Sequence, residues 1–490
     1  MKYNISKNMD YDVIVAGGGL AGMIAAQSVS YYSNERLSIL IIDRNQQLSL
    51  GKKTINGWVC GDAVSKAAVD FMKERIKVEW NKPEIEHHVK GVIAFSPDKE
   101  TSIKFDGAGY MLNRKQLPQT QYAHSIKHGI DFNFGINLVD LIYDSQNVIG
   151  VRGYDIKSKS VYKKTAKVIV DATGVTSLLR NNIKNTDKME KKINKSDIES
   201  TGRHIMYFDN DGEKNLREFD SEHCLIHLDQ DIAPGGYAWV FPKGDNKVNI
   251  GLGVEKSFLE MRNRRLHKHD NLASLINQYV KRNKSIKNPR LSESLNDRSN
   301  VTGTWQVSVR RQNDCMVSNG FIIVGDAAWM PKPLDAGGIG PAIIAGTLIG
   351  KNIVEAIESK DTTENGLWKY NTDFIKEYGY KTAGLEIFRR LLQTLTNDQI
   401  SYGMKNFLGS SDIEAISSGK HPDFTVLQKI NVIIKGVLNR QLINGLKLTA
   451  KQNKWLTNHY DNYPKTPNEF YEWSKQLHQK LDEAYMTISK

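Results

Sequence analysis

The run Gly17-x-Gly19-x-x-Gly22 constrains this chain more than any other feature. It follows the short apolar strand YDVIV, residues 11 to 15, and opens the helical stretch LAGMIAAQSVSYY. A second buried strand, LSILIID at residues 37 to 43, follows and ends on Asp43. This strand–turn–helix–strand order is a βαβ unit. Gly17 permits the tight turn, Gly19 lets backbone approach a pyrophosphate, and Gly22 lets the helix pack close to the strand. The helix N-terminus then faces the phosphates. A carboxylate at Asp43 can accept hydrogen bonds from ribose hydroxyls. The unit predicts dinucleotide binding but does not choose between FAD and NAD.

The remaining chain predicts α/β architecture: a Rossmann-type cofactor domain, an antiparallel-sheet substrate domain and a helical C-terminal region. Residues 1–55, 106–180 and 301–360 form the discontinuous cofactor unit in this reading. Residues 56–105 and 181–300 form the substrate unit, and 361–490 the helical region. The polar stretch 181–200 reads as mobile or as an inserted surface loop. Pro118 bends or delays the helix expected over 112–129.

Composition excludes several classes. Of 490 residues, 40% are hydrophobic and 25% charged, as in a soluble globular protein. The first ten residues, MKYNISKNMD, hold no apolar core for a secretory signal. No run approaches 18 apolar residues, so no spanning helix is expected. Cys60, Cys224 and Cys315 are scattered and form no CxxC pair. That argues against zinc, an iron–sulfur cluster or a disulfide framework, and for a reducing cytoplasmic setting. The net charge of +12 is spread out, with local pairs such as Lys163-Lys164, Lys191-Lys192 and Arg310-Arg311. It reads as a solvated basic surface, and no nucleic-acid module accompanies it.

Distant segments select the cofactor. VGDAAWMPKPLDAGGIGPAIIAG, residues 324 to 346, resembles the third conserved block of FAD enzymes of the p-hydroxybenzoate hydroxylase superfamily. The resemblance implies that Asp326 holds the ribityl chain or a nearby phosphate. It also implies that Gly338, Ile339 and Gly340 turn a helix start toward the flavin ring. DATG, 171 to 174, matches the strand end that returns to the cofactor. The sequence shows one strand–GxGxxG–helix unit and no second, so a separate nicotinamide domain is not expected.

Two further stretches narrow the resemblance. PGGYAWVFPKGDNKVNIGLGV, 234 to 254, looks like the PxxYxWxFP signature of geranylgeranyl reductases. NGWVCGDAVSK, 56 to 66, resembles their cysteine loop, in which CG lies against the isoalloxazine. The helix carrying Arg114 is similar to their RxxFDxxLA helix, although it reads Arg114-Lys115-Gln116-Leu117-Pro118 here. Carried over by resemblance, Arg44, Gly61, Asp62, Val64, Arg114 and Leu138 contact FAD, and Cys60 is the catalytic thiol.

The resemblance implies FAD-dependent saturation of C=C bonds in geranylgeranyl chains, those of archaeal membrane ether lipids first. Hydride comes from reduced flavin and a proton completes the addition, with Cys60 as the donor or as its positioner. A thiol with a reference pKa of about 8.5 is protonated at neutral pH. The electron donor is ferredoxin or NAD(P)H. A monooxygenase or halogenase of the same superfamily is the alternative.

Other residues have two readings. Tyr237 and Trp239 lie two apart on one strand face, where they either line an apolar tunnel or fill the core. Cys224 and Cys315 read as buried hydrophobes. His87-His88 reads as surface or packing. Lys52 and Lys53 read as a solvated loop or a contact to substrate phosphate. The amphipathic segment 424–448 either packs on its own domain or rests peripherally on an anionic membrane.

Overall fold

The computed structural model describes residues 9–50, 60–209, 215–296, 299–406 and 440–488. Two sheets organise them. In the first, the Tyr11–Ala16 strand runs parallel to Ile39–Asp43 on one side and to Val161–Asp171 on the other. Ile130–Phe134 extends it beyond Ile39–Asp43, and Phe321–Ile323 extends it beyond Val161–Asp171. Val13, Ile14 and Val15 are all fully buried. That is the continuous apolar run of a parallel strand covered on both faces, where strict alternation is not needed.

The Leu20–Tyr32 helix packs against the long Ile339–Glu358 helix. Close approach explains two small residues there. A Cβ at Gly350 would fall 2.2 Å from Ser28 Oγ, and one at Gly346 would fall 3.0 Å from Ile24 Cγ2. Ser28 Oγ donates to the Thr347 carbonyl at 2.7 Å across the same contact.

The second sheet is mostly antiparallel and has nine strands. Its centre pairs Ile198–Asp209 with Lys247–Glu255, and Lys247–Glu255 with Ala238–Pro242. His223–His227 then joins Ile85–Phe95 in parallel. The Leu272–Arg282 helix covers one face through Leu275 and Ile276. Ser102–Leu112 and Thr302–Ser308 belong to this sheet; residues 106–112 and 302–308 fall in segments expected in the cofactor unit, and 102–105 in one expected in the substrate unit. Strand order along the chain does not reveal pairings made across a hundred residues.

The C-terminal helices close over the junction through buried charge. Arg310 pairs with Glu190 at 2.7 Å, and Arg311 with Asp314 at 2.8 Å. Arg389 meets Asp197 at 2.7 Å, and His478 meets Asp314 at 3.0 Å. This corrects one expectation. Arg310-Arg311 is not a solvated cluster, because both side chains are buried and ion-paired. The stretch 181–200, expected to be mobile or an inserted surface loop, is anchored at points along its length: Met189 is buried and Asn313 Nδ2 donates to the Glu190 carbonyl at 2.7 Å. Its polar residues find partners from distant elements, which local composition cannot show.

Candidate active site

The glycine turn behaves as its spacing predicts. Gly17 has φ +103°, and a Cβ there would fall 2.3 Å from the Ala172 carbonyl oxygen. A Cβ at Gly22 would fall 2.0 Å from the Gly17 carbonyl oxygen, so the helix sits directly on the turn. Gly19 differs: no atom lies within 4 Å of where its Cβ would be. The helix start therefore opens onto free space, as a pyrophosphate cradle requires. Asp43 braces this turn. Its Oδ2 accepts from Gly18 N at 2.7 Å and its Oδ1 from Asn45 N at 2.7 Å.

That space continues into a cavity of about 900 Å³ between the two sheets. Every site residue expected from sequence lines it except Gly22, which packs the helix from behind. Arg44 and Leu138 border the end near Asp43. Asp326, Gly338, Ile339 and Gly340 form another wall. Burial lifts the Asp326 carboxyl to about 6 against the opposing charge of Arg114. A Cβ at Gly338 would lie 3.5 Å from Asp326 Oδ1, so the carboxyl and the helix start face one point.

The cysteine loop is held by a buried polar network. Asn249, fully buried, donates from Nδ2 to the Cys60 carbonyl at 2.9 Å and to Asp62 Oδ2 at 2.9 Å. Its Oδ1 accepts from Trp239 Nε1 at 2.9 Å. Lys243 Nζ donates to Asp62 Oδ2 at 2.9 Å and to the Leu112 carbonyl at 2.8 Å, and pairs with Glu86 at 2.9 Å. Arg203 Nε donates to the Cys60 carbonyl at 3.4 Å. Asp62 has φ +67°, a left-handed conformation that costs a non-glycine residue about 1 kcal/mol. The network holds it there. Burial opposes ionisation of Asp62, but the charges of Lys243 and Arg203 outweigh it and keep the carboxyl below its usual range.

Cys60 is half-buried at the cavity wall, and its Sγ accepts from Asp62 N at 3.3 Å. The S–H hydrogen is thus not spent on that contact. Burial pushes the thiol pKa up, and the charge of Arg114 pulls it only part of the way back. Tyr237, Trp239 and Phe241 line the same cavity, with successive ring centroids 5.9 and 6.0 Å apart. Tyr237 Oη donates to the Asp335 carbonyl at 2.6 Å. These rings are packed against one another and also form part of the cavity wall.

Cys315 is buried, as expected of a small hydrophobe. Cys224 is buried too, yet it also touches the cavity. His87 Nε2 lies 2.8 Å from the Ser221 carbonyl, and His88 sits edge-on to Tyr110. Lys52, Lys53, residues 56–59 and the apolar face of segment 424–439 lie outside the described residues. Over 440–448, Leu442, Ile443 and Leu446 are buried in the main core. No described helix is long and apolar enough to cross a membrane.

Sequence reading missed Lys243, Asn249 and Arg203. Asn249 alone carries a signal, a polar residue inside the otherwise apolar strand KVNIGLGV; Arg203 sits in a mixed strand and Lys243 just past a strand end. Their partners are not visible without the fold.

A glycine cradle, a braced acidic strand end and a buried carboxyl facing a helix start fit FAD. With a protonated thiol on the same cavity, they define a flavin-dependent oxidoreductase. Sequence and fold comparisons agree. The geranylgeranyl reductase catalytic domain profile matches residues 197–290. Digeranylgeranylglycerophospholipid reductase of Sulfolobus acidocaldarius is 30% identical over 485 residues, covering 99% of this chain and 100% of that one. Digeranylgeranylglycerophospholipid reductase 2 of Methanococcoides burtonii is 27% identical over 449 residues, covering 88% and 98%. A geranylgeranyl bacteriochlorophyll reductase-like structure from Thermoplasma acidophilum superposes with TM-score 0.69 at 22% identity, over 86% of this chain and 98% of that one. A myxobacterial chondrochloren halogenase superposes with TM-score 0.60 at 14% identity, over 90% and 97%. These two structural likenesses speak for the fold alone. The full-length relationship places the chain in the digeranylgeranylglycerophospholipid reductase family.

Proposed function

We propose that this protein saturates the C=C bonds of geranylgeranyl chains carried on a glycerophospholipid, as in archaeal membranes. FAD, when bound in the cavity, supplies the hydride for one alkene carbon. The chain's own residues do the rest. Gly17 to Gly22, Asp43, Arg44 and Leu138 seat the adenosine and pyrophosphate. Arg114, Asp326 and the Gly338–Gly340 helix start seat the remainder. Tyr237, Trp239 and Phe241 form an apolar wall that orients an isoprenoid chain and excludes water.

An isolated alkene has no carbonyl to absorb charge, so the proton must be delivered from a fixed point. The Cys60 thiol supplies that point. Burial keeps it protonated at neutral pH. The Asn249 and Arg203 contacts to its carbonyl fix where it stands. Solvent then restores the proton. The single observation that carries this reading is a thiol, held by buried hydrogen bonds, on the same cavity as the glycine cradle and the aromatic wall.

The sequence has one dinucleotide-binding unit, so the electrons come from outside, from reduced ferredoxin or from NAD(P)H. Replacing Cys60 by Ser tests the role of the thiol. Full FAD binding with a large loss of reduction rate is expected. An unchanged rate removes Cys60 from the chemistry.

A further inference from the structure

One wall of the cavity carries cationic charge that neither the flavin cradle nor the thiol loop uses. Lys332 and Lys381 both line it. Lys332 is neutralised by Asp335 at 2.5 Å. Glu377, the other carboxylate lining this wall, is paired with Arg75 at 3.5 Å. Lys381 makes no ion pair among the described residues, and its contact is the face of the Tyr378 ring, 4.3 Å from Nζ to the centroid. The wall therefore holds one cation with no ion-pair partner among the described residues, the charges of Asp335 and Glu377 acting on it only from beyond ion-pair distance. Burial, and next the charge of Lys332, pull the Lys381 ammonium down to about 8, so an anion there would relieve a real cost.

The position separates this charge from the pyrophosphate cradle. Asp335, which holds Lys332, also accepts from Tyr237 Oη through its carbonyl. The two lysines thus stand beside the aromatic wall, whereas the cradle is built at Gly17 to Gly22 and Asp43. A glycerophospholipid brings an apolar chain and a phosphate on one molecule. Aromatic rings next to an unpaired ammonium match both parts.

We propose that Lys381, with Lys332 on the same wall, forms an anion subsite that takes the phosphate of the lipid headgroup. The inference rests on the reductase reading above. It makes the headgroup, and not only the isoprenoid chain, a determinant of substrate choice.

The test uses the full-length, FAD-loaded protein and two lipids, a digeranylgeranylglycerophospholipid and the headgroup-free digeranylgeranylglycerol. Binding is read anaerobically from the change in flavin absorbance as each lipid is titrated. Lys381→Gln is expected to weaken phospholipid binding about tenfold or more, the value of one charge-assisted hydrogen bond, and to leave the neutral lipid within twofold. Lys381→Arg should keep most of the phospholipid affinity. FAD affinity, measured separately, should not move. Equal weakening of both lipids overturns the subsite, because Lys381 would then be only a wall. Weaker FAD binding with unchanged lipid binding also overturns it, because the anion would be the cofactor's phosphate. Wild-type protein that binds both lipids equally overturns the subsite and leaves the reductase reading standing. Wild-type protein that binds neither overturns both.

Discussion

Asn249 Nδ2 stands 2.9 Å from the carbonyl oxygen of Cys60, reaching from the middle of a buried strand to the reactive loop. The same amide holds Asp62 and receives Trp239 Nε1. One side chain thus ties the thiol, the loop carboxylate and the aromatic wall into a single geometry. Such a network rigidifies the loop it holds.

Asn249→Ala should therefore loosen three contacts at once. We expect a stability loss of ~3 kcal/mol, since buried partners are left unsatisfied. The lipid reduction rate should fall more than lipid affinity does. Denaturant unfolding, together with separate rate and KM measurements, checks both parts.

Lys243→Met should be more damaging. It leaves Asp62 and Glu86 without their buried cation, and removing one partner of a buried pair costs about 3–5 kcal/mol. Adding Asp62→Asn should recover part of that loss. A double variant no more stable than the single one would mean that Asp62 and Lys243 do not compensate each other.

The two cradle glycines should fail differently. Gly22→Ala drives a methyl into the Gly17 carbonyl, so both folding and flavin content should drop. Gly19→Ala meets no protein atom, so its unfolding midpoint should match wild type while FAD affinity falls at least tenfold. Unfolding curves and the ratio of flavin to protein absorbance distinguish them.

Cys60 should titrate above an ordinary thiol. Its raised folded pKa means the folded state holds the proton more tightly than the unfolded chain. The stability it contributes is complete below about pH 8.5, the unfolded value, and is lost as pH rises through the folded one. The wild-type minus Cys60→Ser stability difference should decline across that window. Alkylation of Cys60 should show a midpoint above pH 8.5. A midpoint below 8 would contradict the raised thiol.

The cofactor half of the site was legible in sequence because its chemistry is local. Gly17, Gly19, Gly22 and Asp43 sit within one βαβ unit, where spacing alone sets geometry. Asp326 and Gly338 lie far along the chain, and only resemblance linked them to it. The residues that hold the thiol were not legible. Lys243 and Asn249 follow Cys60 by more than 180 positions, and Arg203 by 143, and each reads locally as a polar residue in or just past a strand. The Arg310-Arg311 pair misled for the same reason. Two adjacent arginines look solvated until Glu190 and Glu386 arrive from distant segments and the same loop folds Asp314 back onto Arg311. Lys381 carried no sequence signal, because its meaning comes from the cavity it lines.

The central claim is alkene reduction, and an anaerobic single-turnover measurement tests it most directly. The flavin is reduced with dithionite, geranylgeranyl phospholipid is added, and flavin reoxidation is followed alongside lipid mass. The account predicts reoxidation without oxygen, with a gain of about two mass units for each double bond saturated. A flavin that stays reduced until oxygen is admitted, followed by lipid that gains an oxygen atom, would contradict it and make the protein a monooxygenase.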